Sequence, residues 1–127
     1  MRLTGVSPVL LVADLDRSLE FYGERLGFAC ETFGAPPNFA VVQRDDAILL
    51  LALAADSSRL VPNWHIVDKT WNAYIRVEDV DALFADVQER NCPIDYGIYD
   101  APHGFREFGV TDPDGYDVAF GQRLAPS

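Results

Sequence analysis

The sequence predicts an α+β fold that consists of two βαβββ halves within a single domain spanning residues 1–127. First, Val12-Ala-Asp-Leu-Asp16 returns as Val77-Glu-Asp-Val-Asp81 after a shift of 65 residues, and such internal similarity indicates duplication. Second, in both copies an apolar, strand-like run precedes this acidic motif and an amphipathic, helix-like run follows it. Third, three further strand-like segments follow each helical run, with turn residues between them.

The first half covers about residues 5–54 and begins with a strand from Ser7 to Val12. Asp14 is placed to cap a helix, and Gly27 is placed to end it. The apolar stripe of this helix recurs at helical spacing and consists of Leu15, Leu19, Tyr22 and Leu26. The predicted strands that follow lie around Phe28–Phe33, Phe39–Gln43 and Ala47–Leu53.

The second half covers about residues 70–122 and repeats this plan from a strand at Ala73–Val77. Asp79 is the candidate cap of its helix, and Pro93 closes the helical region. The apolar stripe consists of Val80, Leu83, Phe84 and Val87. The predicted strands are Asp95–Tyr99, Arg106–Thr111 and Tyr116–Gly121. Residues 55–69 carry Asp, Ser, Pro and Asn without a clear period, which predicts a loop that connects the halves.

Composition limits the classes of partner that the protein could bind. Ten basic against twenty acidic residues give a net charge of −10, which repels nucleic acid and anionic lipid and favours cationic partners. The alternative explanation of this charge is solubility alone. No apolar run approaches the roughly 20 residues of a membrane span, and the amino-terminal residues do not resemble a secretory signal. We therefore expect a cytoplasmic protein without a membrane or nucleic-acid partner.

The polar residues indicate neither a metal site nor a catalytic site. Cys30 and Cys92 show no CxxC spacing, so we interpret both as ordinary thiols. His65 and His103 are expected in loops and have no partner at short ligand spacing. Nucleophile elbows, Ser-His-Asp sets and phosphate-binding glycine loops are not found. We therefore expect no catalytic residue, no metal and no cofactor.

Several motifs resemble the vicinal-oxygen-chelate superfamily, which includes glyoxalases, bleomycin-resistance proteins and dioxygenases. These motifs lie in Pro8–Tyr22, Arg25-Leu-Gly-Phe28 and Asp112-Pro-Asp-Gly-Tyr116. Within the superfamily the chain is most similar to bleomycin-resistance-like proteins, through Phe39–Asp46 and Gly104-Phe-Arg-Glu-Phe108. The resemblance covers nearly the whole chain. It implies mixed sheets that cup a ligand trough, and a homodimer in which the first strand can be exchanged.

The same resemblance implies where a metal would bind in the enzymes of the superfamily. The corresponding positions in this chain are Ser7, Leu50, Asn72 and Ala119. None of them is a histidine or a carboxylate, and the two aliphatic side chains cannot coordinate an ion at all. The inherited metal site is therefore expected to be absent, which favours a protein that is not an enzyme.

The remaining prediction is a binding surface for a small molecule. A sheet with one helix leaves its other face open, and two such sheets leave a concave trough. Flat aromatic ligands gain from stacking on aromatic rings, and cationic ligands gain from a nearby carboxylate. The candidate ligand-binding residues are Phe39, Trp64, Asn72, Tyr74, Phe105 and Glu107. Strand aromatics are also common in sheet packing, and Trp64 could form a lid or a dimer contact instead.

The sequence therefore favours sequestration of an aromatic, cationic small molecule without catalysis. Capture alone could protect a cell from a toxic compound, as in antibiotic resistance by bleomycin-resistance-like proteins. The alternative is a metal-dependent glyoxalase-type lyase or isomerase, or a ring-cleaving dioxygenase, with ligands that the motifs do not reveal. A family member with only an interaction role is the third possibility.

Overall fold

The structure is a computed structural model that describes residues 1–125 and divides into two compact units, residues 1–60 and residues 61 onward. Each unit contains one βαβββ arrangement with a four-stranded mixed sheet, which confirms the predicted α+β fold class. Across residues 1–125, no helix combines the length and the apolar character that a membrane crossing requires. That both halves belong to a single domain stays a prediction.

The first unit has its strands in the order β1-β4-β3-β2. The parallel pair is β1 with β4, and the other pairs are antiparallel. Its elements are β1 (Val9–Val12), α1 (Leu15–Glu20), a π-helical turn (Phe21–Arg25), β2 (Ala29–Phe33), β3 (Phe39–Arg44), β4 (Ala47–Leu53) and a short 3₁₀ turn (Ser57–Arg59).

Helix α1 begins as predicted, and Gly27 ends the helical region as predicted, with φ of +75°, but the last turn differs. The Asp14 carboxylate accepts a hydrogen bond from the Arg17 backbone N–H at 3.1 Å, which confirms the cap. The predicted α-helix, however, gives way to a wide turn in which Leu26 N donates to Phe21 O at 3.1 Å. Phe21 and Tyr22 are both buried, with ring centroids 5.2 Å apart. The wide turn thus accommodates two consecutive aromatic side chains in the core.

The core of the first unit lies on one face of its sheet, because strand residues alternate between faces. The buried strand residues are Leu10, Val12, Ala40, Val42, Leu49 and Leu51. Val9 and Leu11 point to the other face and remain 55% and 49% exposed. One side of this sheet is therefore closed by α1, and apolar side chains line the other.

The second unit has its strands in the order β5-β8-β7-β6, again with one parallel pair, β5 with β8. Its elements are a 3₁₀ turn (Asn63–His65), β5 (Ala73–Arg76), α2 (Val80–Glu89), β6 (Ile94–Asp100), β7 (Phe105–Thr111) and β8 (Asp117–Arg123). Most strand ends differ from the sequence prediction by one or two residues. The predicted loop 55–69 contains the two 3₁₀ turns.

Helix α2 is held at its start by two acceptors. The Asp79 carboxylate accepts from Ala82 N at 3.1 Å, as predicted, and Gln122 Oε1 in β8 accepts from Val80 N at 3.0 Å. The helix ends at Glu89, earlier than Pro93, because Asn91 adopts a left-handed conformation with φ of +58°. Phe84 packs on Phe108 with ring centroids 4.9 Å apart, so α2 covers one face of the second sheet.

Candidate ligand-binding site

The face of the second sheet that does not pack on Phe84 carries the candidate site. Along β7, Phe105, Glu107, Gly109 and Thr111 alternate with the buried Phe108 and Val110, as predicted. Glu107 lies opposite Gly121 of β8, and Tyr74 of β5 lies opposite Ala119. The alternation therefore places Tyr74 and Glu107 on the same face, with β8 between their strands.

Glu107 is the most deeply buried charged group of this unit, with 0% of its side chain exposed. Its Oε1 accepts a hydrogen bond from the Tyr74 hydroxyl at 3.0 Å and lies 3.1 Å from His103 Nε2. Its Oε2 accepts from the Tyr96 hydroxyl at 2.5 Å. A buried carboxylate is costly unless it is hydrogen-bonded, and both oxygens of Glu107 meet that requirement.

Two glycines allow both phenols to reach the carboxylate. A Cβ atom at Gly121 would lie 2.7 Å from Tyr74 Cζ, and one at Gly109 would lie 2.8 Å from Tyr96 Cδ1. Real Cβ atoms do not approach other heavy atoms so closely, so any other residue would displace these rings. Tyr74 thus crosses β8 over Gly121, and Tyr96 lies over Gly109 of β7 itself.

Further aromatic rings surround the carboxylate and contact one another. Trp71 Nε1 donates to the Tyr96 hydroxyl at 2.9 Å, so this hydroxyl accepts one hydrogen bond and donates another. The centroid of Tyr74 lies 4.9 Å from that of Trp71 and 5.7 Å from that of Phe105. His103 stacks on Phe105 at 5.3 Å. We refer to Trp71, Tyr74, Tyr96, His103, Phe105 and Glu107 as the Glu107 cluster.

The tyrosines of the cluster serve as hydrogen-bond donors. Burial is the largest cause that raises the pKa of Tyr74 and of Tyr96 above the usual range, and the hydrogen bond to Glu107 adds to it. Both phenols therefore stay protonated at neutral pH and neither can act as a base there. The cluster thus holds a carboxylate with fixed hydrogen-bond donors among aromatic rings. Such an arrangement can stabilise a positive charge on a ligand.

Three of the six residues selected from the sequence come together in the Glu107 cluster, namely Tyr74, Phe105 and Glu107. Asn72 lies just before β5, where its Oδ1 accepts from the backbone N–H of Asn63 at 3.0 Å. Trp64 lies at the β7–β8 turn, where its indole N–H donates to Gly115 O at 2.6 Å. Phe39 belongs to the first unit, where its ring lies 6.2 Å from that of Phe33.

Sequence reasoning did not select Trp71, Tyr96 or His103 for this site. The pairing of β6 with β7 shifts register on both sides of Tyr96, so strand alternation does not predict which face Tyr96 occupies. His103 lies in the loop before β7, as expected from the sequence, yet it reaches Glu107 four residues later. The signal that could have found Tyr96 is the pair of glycines Gly109 and Gly121, which lie on the same sheet face as Glu107. A glycine within a strand often marks a place where another group approaches the backbone closely.

A second buried carboxyl lies at the other end of the same sheet face. Asp117 is 8% exposed, and its Oδ1 accepts from the Thr111 hydroxyl at 3.4 Å. Burial, followed by the hydrogen bond and charge of Asp95, raises the pKa of Asp117 to about 7. The Asp117 carboxyl is therefore partly protonated near neutral pH.

The positions that correspond to the superfamily's metal ligands do not fit a divalent ion. In the first unit, Leu50 pairs with Val9 in the sheet and offers no donor atom. In the second, Ala119 offers none, and the amide oxygen of Asn72 is already bonded to Asn63. Within residues 1–125, no three His, Cys, Asp or Glu side chains are grouped so that they could hold a metal ion.

Comparison with known proteins identifies the family. The sequence model described as Glyoxalase/Bleomycin resistance protein/Dioxygenase superfamily matches residues 6–120. No curated protein matches the chain significantly. A bleomycin-binding protein from bleomycin-producing Streptomyces verticillus, complexed with copper(II)-bleomycin, is 28% identical with a TM-score of 0.72 and covers 100% of this chain and 99% of its own.

Two further solved structures show how widely this fold is used. A bleomycin resistance determinant encoded on the transposon Tn5 is 22% identical with a TM-score of 0.74, over 95% of this chain and 98% of its own. A lactoylglutathione lyase from Agrobacterium tumefaciens is 21% identical with a TM-score of 0.65, over 96% of each chain. Both likenesses concern the fold, whereas the match over residues 6–120 establishes membership: the chain belongs to the Glyoxalase/Bleomycin resistance protein/Dioxygenase superfamily.

Proposed function

We propose that this protein binds and sequesters an aromatic, cationic small molecule without transforming it. The observation that carries the proposal is the Glu107 cluster, in which aromatic rings surround a fully buried carboxylate. A cation over an aromatic face is attracted by the electrons of the ring, and a flat ligand gains further from stacking. The negative charge of Glu107 beneath the rings strengthens that attraction, because charges interact more strongly away from water.

The exposure of the cluster fits a surface that a ligand can reach. His103 keeps 44% of its side chain exposed, and Trp71, Tyr74 and Phe105 are half-buried. A ligand would therefore meet aromatic side chains before it reached the buried carboxylate. The net charge of −10 over the whole chain also draws cations toward the protein.

The comparisons support a small-molecule ligand in general terms. The Streptomyces verticillus neighbour is a bleomycin-binding protein, and it aligns with this chain over its full length. The poor fit of Leu50, Asn72 and Ala119 to a divalent ion supports binding without metal-dependent catalysis. In the same proposal the protein is a cytoplasmic homodimer, and its role is protection by capture.

Isothermal titration calorimetry with matched dyes tests the proposal. At neutral pH 10-methylacridinium is a cation without an N–H donor and acridine is uncharged, although both present the same fused rings. We expect 10-methylacridinium to bind more tightly, and we expect Glu107→Ala to weaken it by about 1 to 3 kcal/mol. Glu89→Ala, which removes an exposed acid at the end of α2, is the matched control and should bind like the wild type. Equal affinity of Glu107→Ala and the wild type would exclude the role of Glu107.

Ring and metal measurements complete the test. Phe105→Ala removes the ring that stacks on His103 and should weaken both dyes, because stacking does not depend on the ligand's charge. Metal analysis of protein purified without chelator addresses the enzymatic alternative. A stoichiometric divalent ion would favour a metal-dependent lyase, isomerase or dioxygenase over sequestration.

A further inference from the structure

Both oxygens of the Glu107 carboxylate already have hydrogen-bond partners, and the Glu107 cluster contains no Lys or Arg. Oε1 contacts Tyr74 and His103, Oε2 accepts from Tyr96, and none of the side chain is exposed. The phenol oxygens are engaged as well: that of Tyr96 accepts from Trp71 Nε1, and that of Tyr74 lies 3.3 Å from His103 Nε2. A donor that enters the cluster therefore competes with hydrogen bonds that these oxygens already accept.

This combination discriminates between two kinds of cation. A primary ammonium group carries three N–H donors, which water satisfies before binding. If these donors find no acceptor in the site, the group loses those hydrogen bonds and binds less tightly. A quaternary ammonium group carries no donor and is attracted to aromatic faces, so it enters without that loss. The quaternary ammonium ion should therefore bind more tightly than the primary ammonium ion, although both carry the same charge.

We propose that the Glu107 cluster selects aromatic cations whose charged group donates no hydrogen bond, and that Gly109 and Gly121 enforce this selection by letting Tyr96 and Tyr74 occupy the carboxylate. The inference rests on the proposed function and narrows its ligand class. A side chain at either glycine would overlap a tyrosine ring, at 2.8 Å from Tyr96 Cδ1 or 2.7 Å from Tyr74 Cζ. The displaced phenol would release one carboxylate oxygen for an ammonium donor.

The experiment compares benzyltrimethylammonium with benzylammonium by calorimetry at neutral pH, where both are cations with the same ring. In the wild type we expect the quaternary ion to bind at least about tenfold more tightly. Tyr96→Phe removes the hydroxyl from Oε2 while it keeps the ring, and should reduce that preference at least about fivefold by improving benzylammonium binding. Gly109→Ala should act in the same direction.

Gly97→Ala provides the matched control, because a Cβ atom at Gly97 in β6 would meet no atom within 4 Å. It should keep the wild-type preference. Because Tyr96→Phe adds no atoms, it decides the outcome even if Gly109→Ala does not fold. A full quaternary preference in Tyr96→Phe would overturn the role of the phenol.

The outcomes also separate this inference from the function on which it rests. Equal or tighter binding of benzylammonium by the wild type would overturn the selection and leave cation binding intact. If neither cation bound, the proposed function would fail together with the inference. Tighter binding of benzyltrimethylammonium, lost in Tyr96→Phe and kept in Gly97→Ala, would support both.

Discussion

The phenol of Tyr74 lies over Gly121, so a side chain from the edge strand β5 crosses β8 and reaches a carboxylate on β7. The absence of a side chain at position 121 is therefore a condition for the hydrogen bond between Tyr74 and Glu107. This relationship makes the packing of the site and its hydrogen bonding depend on the same residue.

The first prediction concerns this close approach. Gly121→Ala should lower the free energy of unfolding by about 2 to 4 kcal/mol, because it forces the Tyr74 ring aside and breaks a buried hydrogen bond. Gly97→Ala, where the added methyl group meets open space, should stay within about 1 kcal/mol of the wild type. Urea unfolding followed by circular dichroism measures both, and similar values for the two variants would contradict the arrangement.

The second prediction concerns the buried Asp117, whose pKa is raised to about 7 by burial and by Asp95. An unfolded Asp titrates at about pH 3.9, so between pH 3.9 and about pH 7 the folded state binds more protons than the unfolded state. The stabilising contribution is therefore fully present below the unfolded pKa, and it is lost as pH rises through about 7. Thr111 and Asp112 are the other groups that face this carboxyl.

In Asp117→Asn, the decrease in unfolding free energy between about pH 5 and pH 8 should be smaller than in the wild type by about 1 to 3 kcal/mol. Asp68→Asn removes an exposed acid of the same unit and should retain the wild-type pH dependence. Urea titrations at both pH values supply the comparison. If the unfolding free energy of the wild type and of Asp117→Asn changed equally with pH, this carboxyl would not be the source of the pH dependence.

The third prediction concerns alkaline pH. The pKa of Tyr74 and of Tyr96 is raised mainly by burial and further by Glu107. These phenols should therefore ionise at a higher pH than unfolded tyrosine, which titrates at about pH 10. The folded state then binds more protons above that pH, and stability should fall as pH rises. When the ultraviolet absorbance of tyrosinate is followed against pH, Tyr96→Phe should lose part of the absorbance change that occurs at the highest pH. If Tyr96→Phe kept the whole absorbance change at the highest pH, burial of this phenol would not be its cause.

The fourth prediction concerns the start of α2. Asp79→Ala removes the acceptor of the Ala82 N–H and should cost about 0.5 to 2 kcal/mol of stability. Asp79→Ser keeps a side-chain oxygen at the cap and should recover most of that loss. Thermal or urea unfolding distinguishes the two. If the Ser variant were as unstable as the Ala variant, the cap would not be the source of the effect.

The parts of the fold that sequence analysis predicted are those that depend on local chemistry. Asp14 and Asp79 cap their helices because a short carboxylate can accept from the first turn. The alternation along β7 correctly predicted that Glu107 and Phe108 lie on opposite faces of the sheet, because this strand pairs with β8 without a register shift. Both inferences needed only residues close in sequence.

The missed residues depend on contacts between distant residues. Tyr96 reaches Glu107 from a strand with irregular pairing, and Trp71 reaches Tyr96 from a position 25 residues earlier. Trp64 is a candidate ligand-binding residue in the sequence, yet its indole N–H donates to Gly115 O at the β7–β8 turn, 51 residues away. The periodicity of apolar residues concerns positions that are close in sequence. It therefore could not predict these contacts between residues that are far apart in the chain.

The π-helical turn from Phe21 to Arg25 has a consequence for the length of the chain. Such a turn contains one residue more than an α-helical turn needs to cover the same rise, so it corresponds to a single-residue insertion. Removing Gly23 should therefore convert the segment into a continuous α-helix instead of disrupting the first unit. We therefore expect the first unit to keep its fold when the chain is shortened by one residue at the end of this helix.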